Sequence, residues 1–353
     1  MSRFLQLHLL TSYPPANLNR DDMGRPKTAK MGGTDRLRVS SQSLKRNWRT
    51  SELFQSALAG HLGTRSKILG IKIYEKLIGA DIAEKKARQW AQEISGQFGK
   101  MKKVDKSDPN ADLEIEQLVH ISLSEQQAID DLVATLITEE REPTKEELEL
   151  LRKEDMSVDI ALFGRMLASK PAFNVDAACQ VAHAISVHPV VIEDDYFTAV
   201  DDLNDHSEDA GAAHIGETGF AAGLFYSYIC INKEQLVENL NGDEALANKA
   251  ISALTEAAVK VAPEGKQNSF ASRAYASYVL AEKGEQQPRS LSVAYLKPVS
   301  KNAEDYGDEA IKALKKQCDN FDTVYGDCAD ARYDMNVPEG KGSLKELLAF
   351  ISE

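Results

Sequence analysis

The sequence predicts an α+β protein whose framework of strands and helices is interrupted twice, by an acidic helical insertion and by a long polar hairpin. Three observations lead there. The first residues alternate apolar and polar side chains at the period of a strand. Residues 60–156 carry apolar positions at helical spacing, and within them 104–157 hold sixteen Asp/Glu against five Lys/Arg. Residues 190–218 are polar, acidic and Gly-containing, between two strand-like runs.

In chain order, residues 3–11 read as a strand, with Leu5, Leu7 and Leu9 on one face and Gln6, His8 and Leu10 on the other. The stretch 12–38 contains Pro14, Pro15, Gly24, Pro26, Gly32 and Gly33, so it reads as a long loop, a kind that is usually functional or disordered. Ser40 and Ser41 supply the cap of a helix whose apolar side includes Leu44 and Trp48. Gln42, Lys45 and Arg49, at i, i+3 and i+7, share another face of it.

Helices are expected at 68–77, 82–98, 125–138 and 145–152, with a weakly packed stretch near 105–112. A strand is expected at 158–162 and a helix at 176–188, closed by Pro189. Strands at 196–200 and 220–231 flank the hairpin; helices at 233–240 and 243–261, strands at 274–281 and 291–296, and helices at 308–318 and 343–351 complete the chain. Without the insertion and hairpin, the strands and helices interleave as in a split βαβ, ferredoxin-like domain. The expected boundaries are 1–59, 60–157, 158–189, 190–219 and 220–353, with the framework in the first, third and last, the insertion in the second and the hairpin in the fourth.

Composition narrows the function. The chain is 42% hydrophobic and 27% charged, ordinary for a globular protein. No apolar run approaches the roughly 20 residues that span a bilayer, and the first residues lack a signal-peptide h-region, so a cytoplasmic location without membrane contact is expected. The four cysteines form no CxxC pair, and no P-loop, GxGxxG after a strand or GxSxG occurs, so no metal, nucleotide or other cofactor is expected.

The net charge of −13 is unevenly spread. Residues 1–50 hold ten Arg/Lys against three Asp, a local +7, which leaves −20 on residues 51–353. With a Debye length of about 8 Å at physiological salt, such a patch acts independently of distant acids. Glycines that bring backbone N–H groups close, Arg and Lys charge, and a helix N-terminus together suit phosphate, and they read it without reading bases.

The segment 14–49 resembles the N-terminal signature of the CasC family, the backbone subunits of type I-E CRISPR surveillance complexes (Cascade). The resemblance lies in Asn17-Leu18-Asn19-Arg20-Asp21-Asp22, Pro26-Lys27-Thr28-Ala29, Gly32-Gly33 and Arg38-Val39-Ser40-Ser41-Gln42-Ser43-Leu44-Lys45-Arg46. Two later stretches, 158–166 and 196–203, are similar to that family's central segment and hairpin base. The likeness covers 1–50 and 158–300.

It implies a hand-shaped fold: a modified RNA-recognition-motif palm, helical fingers and a β-hairpin thumb. It also implies a non-catalytic subunit that oligomerises along crRNA and presents spacer bases to target DNA, beside the partners CasA, CasB, CasD and CasE. The RNA-binding residues it implies are Asn19, Arg20, Lys27, Arg38, Ser40, Gln42, Lys45, Arg46, Arg49, Arg165, Met166, Phe197, Thr198 and Val200.

The match to an ordinary RNA-recognition motif is poor, because 218–225 lacks the leading basic residue and central aromatic of RNP1. Two rivals stand. One is a metal-dependent RNA nuclease like the type III backbone proteins, using Asp21 and Asp22 or the group His183, His188, Asp194 and Asp195. The other is a stand-alone single-strand RNA-binding protein, which would want an aromatic platform. Lys100, Lys102, Lys103 and Lys106 form one local basic cluster in the insertion, read either as a DNA contact or as a solvated linker.

Overall fold

The structure, a computed structural model, describes residues 2–199 and 214–352. Strand β1 (Phe4–Ala16) leads into a hairpin of β2 (Thr28–Met31) and β3 (Thr34–Val39), then α1 (Ser41–Thr50) and α2 (Glu52–Ala57). There follow β4 (Thr64–Ser66), α3 (Leu69–Gly79), α4 (Glu84–Ser95), β5 (Val119–Ile121), α5 (Leu123–Glu139) and α6 (Val158–Phe163). Next come β6 (Cys179–Val181), β7 (Ala184–Ser186), β8 (Glu193–Ala199), β9 (His214–Asn232), α7 (Lys233–Asn239) and α8 (Glu244–Lys260). The chain closes with α9 (Gln267–Phe270), β10 (Tyr278–Gly284), α10 (Tyr306–Tyr325), β11 (Ala331–Asn336) and α11 (Leu344–Ser352).

These elements form two compact units. One comprises Met1–Phe54, Gln180–Ile231 and Ile251–Glu353; the other comprises Gln55–Cys179 and Asn232–Ala250. The first, the palm, is built on a sheet of order β11-β10-β1-β9-β7-β3-β2. Within it, β1, α1, β7, β9, α8 and β10 follow the β-α-β-β-α-β succession of a ferredoxin-like domain, with sheet order β10-β1-β9-β7. The fold is therefore α+β, with an RNA-recognition-motif type of palm.

Both faces of this sheet are buried. Leu5, Leu7 and Leu9 pair with Lys283, Ala281 and Val279 on one face and are at most 1% exposed. On the other face Leu10, Leu224, Tyr226, Tyr278 and Leu280 pack with Ala310, Ile311, Leu314 and Cys318 of α10 and with Leu291 and Tyr295. Gln6, His8 and Glu282 lie on that second face and are also buried. The Glu282 carboxylate accepts from His8 Nε2 (3.0 Å), Arg289 Nη1 (2.6 Å) and Arg332 Nε (2.8 Å). Because a carboxylate only accepts, His8 Nε2 carries the proton and Nδ1 accepts from the Tyr226 hydroxyl at 2.9 Å. An ordinary RNA-recognition motif stacks bases on an open sheet face; here α10 covers it.

The second unit is helical around a small β4–β5 pair. Its core joins Trp90, Ile94 and Phe98 from α4 with Leu69, Ile73 and Leu77 from α3 and Ile129, Val133 and Leu136 from α5. A capping box at Ser122 and Glu125 starts α5.

Several expected elements differ. Residues 158–162 form helix α6, which ends at Gly164 with φ 78°, where a strand is expected; a short buried apolar run does not distinguish the two. The helix expected at 176–188 is two short strands, and β7 gives the sheet its place between β9 and β3. Residues 292–295 make a 3₁₀ turn where a strand is expected, and 145–152 contain turns where a helix is expected. The 12–38 loop is largely ordered, since β1 runs to Ala16 and β2–β3 is a hairpin.

Candidate nucleic-acid interface

The segment between β1 and β2 is held by its own backbone. One Asp21 carboxylate oxygen accepts from the amides of Met23 (3.0 Å) and Arg25 (2.9 Å), the Asx-type turn that Asp favours. Buried Asn17 donates from Nδ2 to the carbonyls of Gly24 and Gly219, both at 2.9 Å. Lys27 N donates to the Asn19 carbonyl and Arg38 N to the Lys27 carbonyl, each at 2.8 Å, so the loop lies along β3. Asn19 Oδ1 accepts from Ser40 N at 2.9 Å and joins the loop to the start of α1.

At that start Ser40 is the N-cap, its hydroxyl accepting from Ser43 N. Ser41 N donates to Nδ1 of His183 at 3.0 Å, so His183 is held as the neutral tautomer with its proton on Nε2. Partial desolvation lowers its pKa, and the nearby charges of Arg38 and Lys27 lower it further. The first turn of α1 carries no acid. Thus Asn19, Lys27, Arg38, Ser40 and His183 converge on one helix N-terminus. Gln42 and Arg46 are exposed on the helix that follows, and Lys45 and Arg49 are half-buried. Arg20 is exposed on the loop.

His183 is the residue that sequence reasoning assigned only to a rival metal site; its place becomes visible once 184–186 is a strand beside β3. Arg36 shows the reverse. It counts toward the +7 patch, yet it is fully buried, donating to Thr34 Oγ1 (2.8 Å), Ser186 O (2.8 Å) and Tyr295 O (2.9 Å).

The hairpin strands pair in antiparallel register from Glu193↔Phe220 to Ala199↔His214. Phe197 lies opposite Gly216, where an added Cβ would sit 2.4 Å from the Phe197 ring, so the ring covers the glycine. Tyr196 and Thr198 are exposed, and Phe197 is 42% exposed. The hairpin base is fastened to the basic loop by Arg25 Nη2 to Asp194 Oδ1 at 2.9 Å and by Pro26 against Gly219, beside the bond from Asn17 to the Gly219 carbonyl. Val200 lies outside the described residues.

In the helical unit, neighbouring residues part ways. The side chain of Met166 is 84% exposed beside a groove of about 280 Å³ that Phe98, Leu118, Val119 and Leu167 help to line, which removes it from the core. Arg165 is buried and donates to Glu125 Oε2 (2.6 Å) and to the carbonyls of His120, Arg152 and Phe173. Its expected contact with RNA is corrected: its guanidinium organises this unit's interior. In the basic cluster, Lys100 pairs with Glu116 and Lys102 with Glu114.

The acids considered for metal binding are dispersed into other roles. Asp21 holds a turn, Asp194 pairs with Arg25 and His183 accepts from a helix amide. Among the described residues no group of three or more His, Cys, Asp or Glu is placed to hold a metal ion. Nor is any helix among them long and apolar enough to cross a membrane.

The family model described as CT1975-like protein matches residues 5–347. This chain belongs to the CT1975-like family. The match runs through both compact units. Among solved structures, the chain is similar to one from a "CRISPR RNA-guided surveillance complex, pre-nicking", at 29% identity and TM-score 0.84, with 99% of each chain covered. A second, from a "CRISPR RNA-guided surveillance complex", is 26% identical with TM-score 0.60, covering 99% of this CT1975-like chain and 96% of the other. A search of curated proteins finds no match.

Proposed function

We propose that this protein is the backbone subunit of a CRISPR RNA-guided surveillance complex of type I-E, binding guide RNA without catalysing a reaction. The observation that carries the reading is the convergence of Lys27, Arg38, Ser40 and His183 on the α1 N-terminus, in a family member whose sheet face is covered. Cations gathered at the positive end of a helix hold phosphates, and phosphate contact accepts any base sequence. Guide bases stay free to pair with target DNA, a division of labour used by RNA-guided effectors. Copies of the chain stack along one crRNA in the cytoplasm, with the hairpin as thumb and with CasA, CasB, CasD and CasE as further subunits.

Co-purification with RNA and partners, followed by sequencing of the bound RNA, tests this. Repeat-flanked spacers are expected; random cellular RNA bound by a monomer would instead support a stand-alone RNA-binding protein. Purified complex with magnesium and complementary RNA or DNA is expected to leave both strands intact. Cleavage lost in Asp21→Ala or Asp22→Ala with assembly retained would overturn the non-catalytic reading.

A further inference from the structure

Beside the phosphate-type surface of α1, the palm has a cavity of about 550 Å³, within the usual range for small-ligand sites. Arg20, Asp22, Ser43, Arg46, Asn47 and Glu264 line it. Its signs are mixed: Arg20 and Arg46 face it with Asp22 and Glu264, and none of these four side chains makes an ion pair among the described residues. Asp21 also lines it, with one oxygen already engaged by two backbone amides.

A seat for phosphate alone would be weakened by free carboxylates, which repel it. A ribonucleotide offers both complements, a phosphate for an arginine and a 2′-hydroxyl donor for a carboxylate. We propose that this cavity reads one ribose of the bound strand, with Glu264 accepting from the 2′-hydroxyl, and so makes the protein prefer RNA to DNA. The inference rests on the guide-RNA reading and adds how the sugar is recognised.

The backbone around Glu264 is built to hold it there. A Cβ on Gly265 would lie 2.2 Å from the Leu18 carbonyl oxygen and 2.7 Å from that of Asn17, so only glycine allows this corner to close on the loop. Lys266 follows in the left-handed region at φ 49°, and Ala271, just after α9, repeats that conformation at φ 49°. Non-glycine residues hold it only where their surroundings over-determine it, and such sites are often functional. Between them, the Phe270 ring packs at a tilt on Phe220 of the hairpin base, with centroids 5.9 Å apart. The corner is thus fixed from both ends, and Glu264 is held on the cavity wall. A deoxyribose would offer that carboxylate no donor, so the charge-assisted hydrogen bond is lost.

The test compares full-length protein binding to fluorescent single-stranded RNA and single-stranded DNA of one sequence. Wild type is expected to prefer RNA by about tenfold or more, the worth of one charge-assisted hydrogen bond. Glu264→Ala should bring the ratio near one by weakening RNA binding or strengthening DNA binding. Glu264→Gln, which keeps an acceptor oxygen and the side-chain shape, should retain part of the preference. Lys45→Ala, a change at the phosphate surface, should weaken both nucleic acids alike. An unchanged ratio in Glu264→Ala, or none in wild type despite tight RNA binding, would overturn the ribose site and leave the guide-RNA reading standing. Binding of neither nucleic acid would overturn both.

Discussion

Arg25 Nη2 lies 2.9 Å from Asp194 Oδ1, and this contact joins the phosphate-type loop to the first strand of the hairpin. Both side chains are over 40% exposed, so the pair adds well under about 1 kcal/mol to stability. Its larger effect is directional, since it acts with Asn17–Gly219 and Pro26–Gly219 to fix where the hairpin leaves the palm. Arg25→Asp is expected to leave thermal melting within about 2 °C while loosening nuclease protection of bound RNA. The exchange Arg25→Asp with Asp194→Arg should restore protection; a swap no better than the single variant would show that the pair does not set the hairpin.

The phosphate surface predicts a salt dependence. Lys45→Ala should flatten the plot of log affinity for single-stranded RNA against log salt by about 0.7, the slope for one phosphate contact. An unchanged slope would remove Lys45 from the interface.

His183 predicts a pH dependence. The free protein holds the imidazole neutral, below its ordinary value of 6.5, because of desolvation and then Arg38 and Lys27. A phosphate brought to the α1 N-terminus would take the Ser41 N–H in place of Nδ1 and favour the imidazolium, so binding takes up a proton and affinity should rise as pH falls through the imidazole range. His183→Gln can still accept from Ser41 N and should show a flatter profile between pH 5 and about 7.5.

Arg165 and Met166 should separate cleanly. Arg165→Met leaves Glu125 buried without its counter-charge and should destabilise the helical unit by about 3–5 kcal/mol in urea unfolding. Met166→Ala should stay within about 0.5 kcal/mol of wild type; in assembled complex it is expected to weaken target pairing more than guide retention. The opposite order would assign Met166 to holding the guide.

Glu282 is the counter-charge of the palm's covered face. Burial raises its pKa, but hydrogen bonds from His8 and Arg289 outweigh that and hold it far below the ordinary carboxylate value. Glu282→Ala strands Arg289, leaves Arg332 with Asp322 alone, and is expected to cost about 3–5 kcal/mol in urea unfolding. Loss of RNA binding without loss of stability would instead place this face at the interface. Burial also lowers the His8 pKa despite Glu282. The folded palm therefore resists protonating His8, and stability present above 6.5 should decline as pH falls below it.

The periodic parts of the fold were legible in sequence. Alternation located the start of β1 but not its run to Ala16, and 3.6-residue spacing located α3, α4, α5 and α8, each within a few residues. The signal failed where burial on all sides erases periodicity, as in α6, and where strands are three residues long, as in β6 and β7. Much of the candidate surface was readable because loop, cap and helix are contiguous from Asn19 to Arg49. His183 and Glu264 were not, because they reach it through β7 and through a glycine corner, contacts made across more than 140 positions. Arg36 was misjudged because composition counts charges without showing which are buried, and Arg165 because the resemblance that implied its contact does not show its burial.

The pairing of β1 with β10 has a consequence during synthesis. Leu7 pairs with Ala281, so the first strand emerges from the ribosome about 270 positions before its neighbour. At about 5–20 residues per second, the nascent chain waits on the order of tens of seconds with that strand edge unpaired. Residues Gln55–Cys179 are made early in that interval, so much of the helical unit is available to collapse first. The palm closes only near the end of translation, which delays completion of its sheet until almost the whole polypeptide has been made.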